Sequence, residues 1–202
     1  MKANAARENA RPVLFSLTME KGGAVDAVRD LHLYAREVNF RSVSPIVHLG
    51  SHEVEPGRDE KTDPLRQVKL DAYFKMKVAK SALCVPPLEV FAFSCTMNNG
   101  LTFNIGLCRY PQFIVQPSTG KPIQVVEKDM WVWQSAAQTF ACDSHDDENI
   151  EPCISSHKAL VALLEYAEQL GALGSVDDPT DYYRTRYENG LVRSCREVCG
   201  CP

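Results

Sequence analysis

Residues 88–109 constrain the fold more than any other stretch of this chain, because two apolar runs flank Asn98-Asn99-Gly100. A two-residue loop would set Met97 opposite Thr102 and mix apolar with polar side chains on both faces. A three-residue loop with Gly100 in the left-handed conformation sets Met97 opposite Leu101 instead. Cys95 then pairs with Phe103, Phe93 with Ile105 and Phe91 with Leu107. One face becomes wholly apolar, so this register should win. The other face carries Val90, Ala92, Ser94 and Thr96 against Thr102, Asn104, Gly106 and Cys108. It is small and weakly polar, and either a helix packs close to it or it leaves room for a ligand.

The rest of the chain extends the hairpin into a larger sheet. Residues 12–19 read as a strand that ends at Gly22-Gly23. Ala24, Val28, Leu31, Ala35 and Val38 recur at helical spacing over 24–38. Residues 43–49 read as a short edge strand, since Pro45 removes a donor. Residues 52–64 form a charged loop. Over 65–79, Val68, Leu70, Ala72, Phe74, Met76 and Val78 alternate with polar residues, which favours a strand; Asp63-Pro64 as a helix start is the competing signal. Residues 112–116 and 122–126 look like a further strand pair, and 129–140 like a strand with Trp131 and Trp133 on one face. An acidic loop over 141–151 leads into a long helix from Pro152 to Gly171, striped by Ile154, Leu160, Val161, Leu164, Ala167 and Leu170. A short helix over 178–187 and a tail follow.

These elements predict an α+β fold, a curved and mainly antiparallel β-sheet with two long amphipathic helices packed on it. The division expected is an N-terminal arm over 1–11, one α+β domain over 12–190 and a Cys-containing tail over 191–202. The element order resembles that of helix-grip folds. That resemblance implies a sheet closed over a long C-terminal helix, often around a ligand.

Composition narrows the partners. The chain has 202 residues, 45% hydrophobic and 24% charged, values ordinary for a globular domain. A net charge of -4 without any Lys/Arg run removes the electrostatic footprint of a nucleic-acid binder and disfavours an anionic membrane surface. Residues 1–10 lack the apolar core of a secretory signal. The eight cysteines are scattered, so they read as reduced thiols in a reducing, cytoplasmic setting. Export by an unusual route is the alternative.

The short signatures of nucleotide binding, serine hydrolysis, zinc proteolysis and dithiol redox chemistry are absent. Four weaker constellations remain. Cys142, His145, Cys153 and His157 offer thiolate and imidazole ligands, which makes zinc the candidate cofactor. The bland reading of this group is a buried structural His among ordinary thiols. His48, His52 and Glu53 could hold a metal or supply a general base, and if 46–53 is a strand the two His share a face. Cys195, Cys199 and Cys201 could bind a soft metal or belong to a frayed tail. Arg109, Tyr110, Trp131 and Trp133 could bind an anion and stack a ring, or the Trp residues could simply pack the core. A cysteine nucleophile among Cys84, Cys95, Cys108 and Cys142 would need a His partner.

No reaction follows from the sequence. The leading reading is a small-molecule-binding domain whose pocket lies between the sheet face of Ala92, Ser94, Asn104 and Gly106 and a helix. Arg109, Tyr110, Trp131 and Trp133 would stand at its rim. The alternatives are a metal-dependent enzyme, most naturally a hydrolase, and a non-catalytic interaction module. The module would use the helices or a sheet edge, a surface that would also serve a homo-oligomer.

Overall fold

The structure is a computed structural model that describes residues 11–54, 63–78, 81–116, 119–140 and 150–199. The protein is α+β with a mostly antiparallel sheet. Chain order is β1 (Val13–Glu20), α1 (Lys21–Glu37), β2 (Ser42–Val43), β3 (Val47–Gly50), α2 (Ser51–Val54), α3 (Arg66–Asp71), β4 (Phe74–Val78) and β5 (Ser81–Val85). There follow β6 (Glu89–Thr96), β7 (Thr102–Arg109), β8 (Phe113–Val115), β9 (Pro122–Gln124), β10 (Met130–Ala137), α4 (Glu151–Gln169), β11 (Leu173–Asp177), α5 (Tyr182–Thr185) and α6 (Glu188–Cys199). The main sheet runs β11-β1-β10-β7-β6, and β2 and β3 share the outer edge of β6. Pro45 sits in the break between those two edge strands.

The central hairpin has the three-residue turn. Met97 N–H donates to Leu101 O at 2.8 Å, Gly100 has φ +83°, and Phe93 lies opposite Ile105. The odd-numbered face of the sheet is the apolar one, and α1 covers it through Ala24, Ala27, Val28, Leu31 and Ala35. His32 of α1 meets the edge of the Phe93 ring at 5.1 Å. Helix α4 lies beside α1, with Tyr34 stacked on Tyr166 at 4.2 Å, and buries Leu160, Leu163, Leu164 and Ala167 in the same core. The hairpin tip fixes the start of α4: Asn98 Nδ2 donates to Ser155 Oγ, and Asn99 N–H to Ser156 Oγ.

Two segments differ most from the expectation read off the sequence. Of the segment expected as one strand over 65–79, the described residues 65–78 contain helix α3 and strand β4 instead. Buried Val68 and Ala72 lie four apart, a spacing that fits a period of two and a helical turn equally well. The local chemistry decides for the helix. The Asp63 carboxylate accepts the Leu65 N–H at 2.8 Å and pairs with Lys69 at 2.8 Å, closing the first turn. The second segment is the presumed tail, most of which is helix α6. Leu191 and Cys195 are buried four residues apart and form a second core with Phe140, Ile154, Val161 and Tyr182. Leu191, Cys195 and Val198 carry a helical period that was legible in the sequence.

Candidate functional site

The even-numbered face of the sheet is covered in two different ways. Over β6 and β7 it is closed: α3 packs there with Val68 and Ala72, and Ala92 and Cys108 are fully buried. The Tyr110 hydroxyl donates to Ala72 O at 2.7 Å and pins the segment down. Over β1 and β10 the same face is open, and Leu14, Gln134 and Ala136 are exposed.

A cleft forms where the covered and open halves meet, because β7 and β10 separate. Their ladder holds only at Trp131↔Arg109 and Val132↔Cys108. Beyond it, the Trp133 indole N–H donates to Asn104 O at 3.2 Å, taking the place of a strand partner. The cleft encloses about 420 Å³ and is lined by Gln67, Asp71, Tyr73 and Lys75 from the α3–β4 segment. Thr102 and Phe103 of β7 and Gln134, Ser135 and Ala136 of β10 complete it. This volume falls in the range of small-molecule sites.

One wall of the cleft is fixed by a chain of hydrogen bonds. Ser94 Oγ donates to Asn104 Oδ1 at 2.6 Å, and Asn104 Nδ2 donates to Asp71 Oδ2 at 2.7 Å. Gln67 Nε2 donates to Asp71 Oδ1 at 2.8 Å. Asn104 is 1% exposed, so its amide must be satisfied inside the protein, and Asp71 satisfies it. A carboxylate can accept at about four sites, so two amide donors orient Asp71 and leave it able to accept more. Lys75, across the α3–β4 junction, forms no ion pair among the described residues.

The sequence-derived binding set divides between the two faces. Ser94 and Asn104 belong to the hydrogen-bond chain behind the cleft. Arg109, Trp131 and Trp133 lie on the opposite, helix-covered face, where both Trp residues are buried. Arg109 Nε instead donates to Glu89 Oε2 at 3.2 Å. Tyr110 is buried against α3. Gln67, Asp71, Tyr73, Lys75 and Gln134 escaped the sequence reading. Only the pairing of α3 with β7 in space brings them together. The resemblance to helix-grip folds placed the cavity under the long C-terminal helix, but α4 packs on the apolar face and the cleft lies on the other side.

The metal candidates are also distributed. His48 Nε2 lies 2.9 Å from Glu89 Oε1, and its ring stacks on Phe91 at 4.1 Å. Strand β3 ends at Gly50, whose N–H donates to the Glu53 carboxylate at 2.8 Å. His52 is therefore carried on the short helix α2, and the strand that would have aligned it with His48 is interrupted. Cys142, His145 and Cys201 lie outside the described residues. Among the described residues, no group of three or more His, Cys, Asp and Glu is placed to hold a metal ion. Burial pushes the Cys95 and Cys108 thiols far up, which leaves them inert.

His157 is fully buried and has both ring nitrogens occupied. Thr139 Oγ1 lies 2.9 Å from Nδ1, and Asp178 Oδ2 and Thr180 Oγ1 each lie 3.2 Å from Nε2. The Phe140 ring stacks on the imidazole at 5.3 Å. This Thr–His–Asp chain has the order of a catalytic relay, but Thr139 is 1% exposed and His157 0%, so no substrate reaches it. It ties α4 to the segment after β11. Burial raises the Asp178 carboxyl, but the His157 imidazole and the N–H groups of Tyr183 and Thr180 outweigh burial and hold it well below the usual carboxylate range. A depressed carboxyl stabilises the fold above its unfolded value of roughly 4 and loses that contribution as pH falls. Asp178→Asn should therefore cost about 3 kcal/mol at pH 7 and distinctly less at pH 3. Urea unfolding at the two pH values checks this, and an equal loss at both would contradict it.

No family model, curated protein or solved structure matches the chain. Its class is thus given by its own architecture: an α+β domain with two helices on one sheet face and a polar cleft on the other. No helix among the described residues is long and apolar enough to cross a membrane.

Proposed function

We propose that this protein binds a small polar organic molecule in the cleft between the α3–β4 segment and the diverging strands β7 and β10. The observation that carries the reading is the fixed wall of the cleft. Ser94, Asn104 and Gln67 hold the Asp71 carboxylate in one orientation at the edge of a space of about 420 Å³. Ligand sites commonly combine a largely formed cavity with a few oriented polar groups. The remaining lining fits that pattern, with Thr102 and Gln134 as further hydrogen-bonding side chains and Tyr73 as a ring.

The test is a metabolite panel read by thermal shift on the wild type and on Ala136→Trp. Ala136 is exposed, so the indole should fill the cleft without disturbing the core. A ligand at about 100 times its Kd stabilises by about 2.7 kcal/mol, a rise of about 5 °C or more for a chain of this size. The rise should appear in the wild type and vanish in Ala136→Trp. A rise of equal size in both proteins would place the binding site elsewhere.

A further inference from the structure

Resting on the cleft reading above, we propose that the ligand is a small zwitterion, its ammonium group held by Asp71 and its anionic group by Lys75. Asp71 and Lys75 are the charged residues of the cleft lining, and their signs are opposite. Asp71 is acceptor-only and oriented by two amide donors, so it selects a group that donates, and an ammonium gives the strong, charge-assisted form of that bond. Lys75 is donor-only and has no ion-pair partner among the described residues, so it selects an anion. The ring of Tyr73, also in the lining, offers contact to a side chain.

Other ligand classes fit this lining less well. A polyphosphate would bring several negative charges to one lysine beside a fixed carboxylate. An apolar molecule would leave Gln67, Asp71 and Gln134 facing a surface that cannot hydrogen-bond. A neutral polyol would satisfy those three groups without using the Lys75 charge, and it is the class to be separated by experiment.

The probes are the free L-amino acids, their N-acetyl and carboxamide counterparts, and neutral hexoses. Binding is followed on the side-chain amides of Gln67 and Gln134 and the backbone amide of Thr102 in 1H–15N spectra. At least one free amino acid should move these resonances, and removing either of its charges should weaken binding about tenfold, the loss expected for one charge-assisted hydrogen bond. Lys75→Gln, an exposed substitution that leaves the wall intact, should weaken the amino acid about tenfold and leave its carboxamide counterpart unaffected. Asp71→Asn would also remove one acceptor from the wall, so the ammonium end is read on the wild type from the N-acetyl counterpart. A hexose that moves the three resonances while no amino acid does would overturn the zwitterion assignment and keep the cleft as a site. Amino-acid binding that ignores Lys75→Gln would also overturn it. If no probe moves any of the three resonances, and no panel ligand separates Ala136→Trp from wild type, the cleft reading fails together with this one.

Discussion

Gly106→Ala is expected to be the most damaging single-methyl change in the protein. Gly106 lies opposite Ala92 at the centre of the β6–β7 hairpin. A Cβ built there would stand 2.2 Å from Phe91 O, 2.5 Å from Ala92 Cβ and 2.6 Å from Ala92 Cα. Those neighbours belong largely to backbone within the central ladder, and on the same face α3 packs over β6 and β7. The clash cannot be relieved by turning a side chain, so the two strands must separate. Overpacking of this kind costs about 3 kcal/mol, and more where backbone must move. Gly22→Ala provides the contrast. It lies in α1 with no atom within 4 Å of a built Cβ, so the added methyl should stabilise the helix by roughly 0.5–1 kcal/mol. Chemical denaturation of both variants checks the pair, and a Gly106→Ala protein as stable as wild type would show that the strands are not so close.

The second large effect is expected at Trp133, the wedge that allows β7 and β10 to separate. Trp133 is 0% exposed and packs in the main core, opposite Leu17 of β1. Truncation to alanine removes a whole indole and leaves a void that the surrounding strands fill only partly, at a cost of about 4 kcal/mol. A second substitution separates packing from hydrogen bonding. Trp133→Phe keeps most of the ring but removes the donor to Asn104 O, leaving a buried carbonyl short of a partner at a cost of about 1–2 kcal/mol. The stability order should therefore be wild type, then Phe, then Ala. A Phe variant equal to wild type would mean that the indole N–H does not hold the seam. The cleft opens from the same divergence, so the Ala variant should also weaken any ligand that stabilises the wild type.

Much of the sheet was legible in the sequence because it depends on alternation and on one turn. The Asn98-Asn99-Gly100 loop fixed the register of β6 and β7, since other pairings bury polar groups with apolar ones. The same alternation put Trp131 and Trp133 on one face. It also carried a consequence for the candidate pocket: Arg109 pairs with Trp131 in the β7–β10 ladder and so shares the apolar face. Ser94 and Asn104 point the other way, and a pocket joining all of them would have to pass through the sheet.

The cleft itself was less legible. Asp71 and Lys75 fall in a segment whose spacing suits a strand or a helix, and its local capping by Asp63 decided between them. At the C-terminus, Cys195 is a small buried side chain on the inner face of α6. The pairing of His157 with Asp178, 21 residues away, has no sequence signal at all.

By itself, the sequence determined the fold class, the central hairpin and its register, and the two long amphipathic helices. These follow from short-range periodicity and turn chemistry, which neighbouring residues carry without help from distant ones. The tertiary structure alone decided which sheet face each segment covers, where β7 and β10 part, and which polar side chains line the cleft. Those outcomes depend on contacts between residues far apart in the chain, such as Asp71 with Asn104 and Trp133 with Asn104. The free energy of such contacts exists only once the sheet has assembled and excluded water from the groups involved.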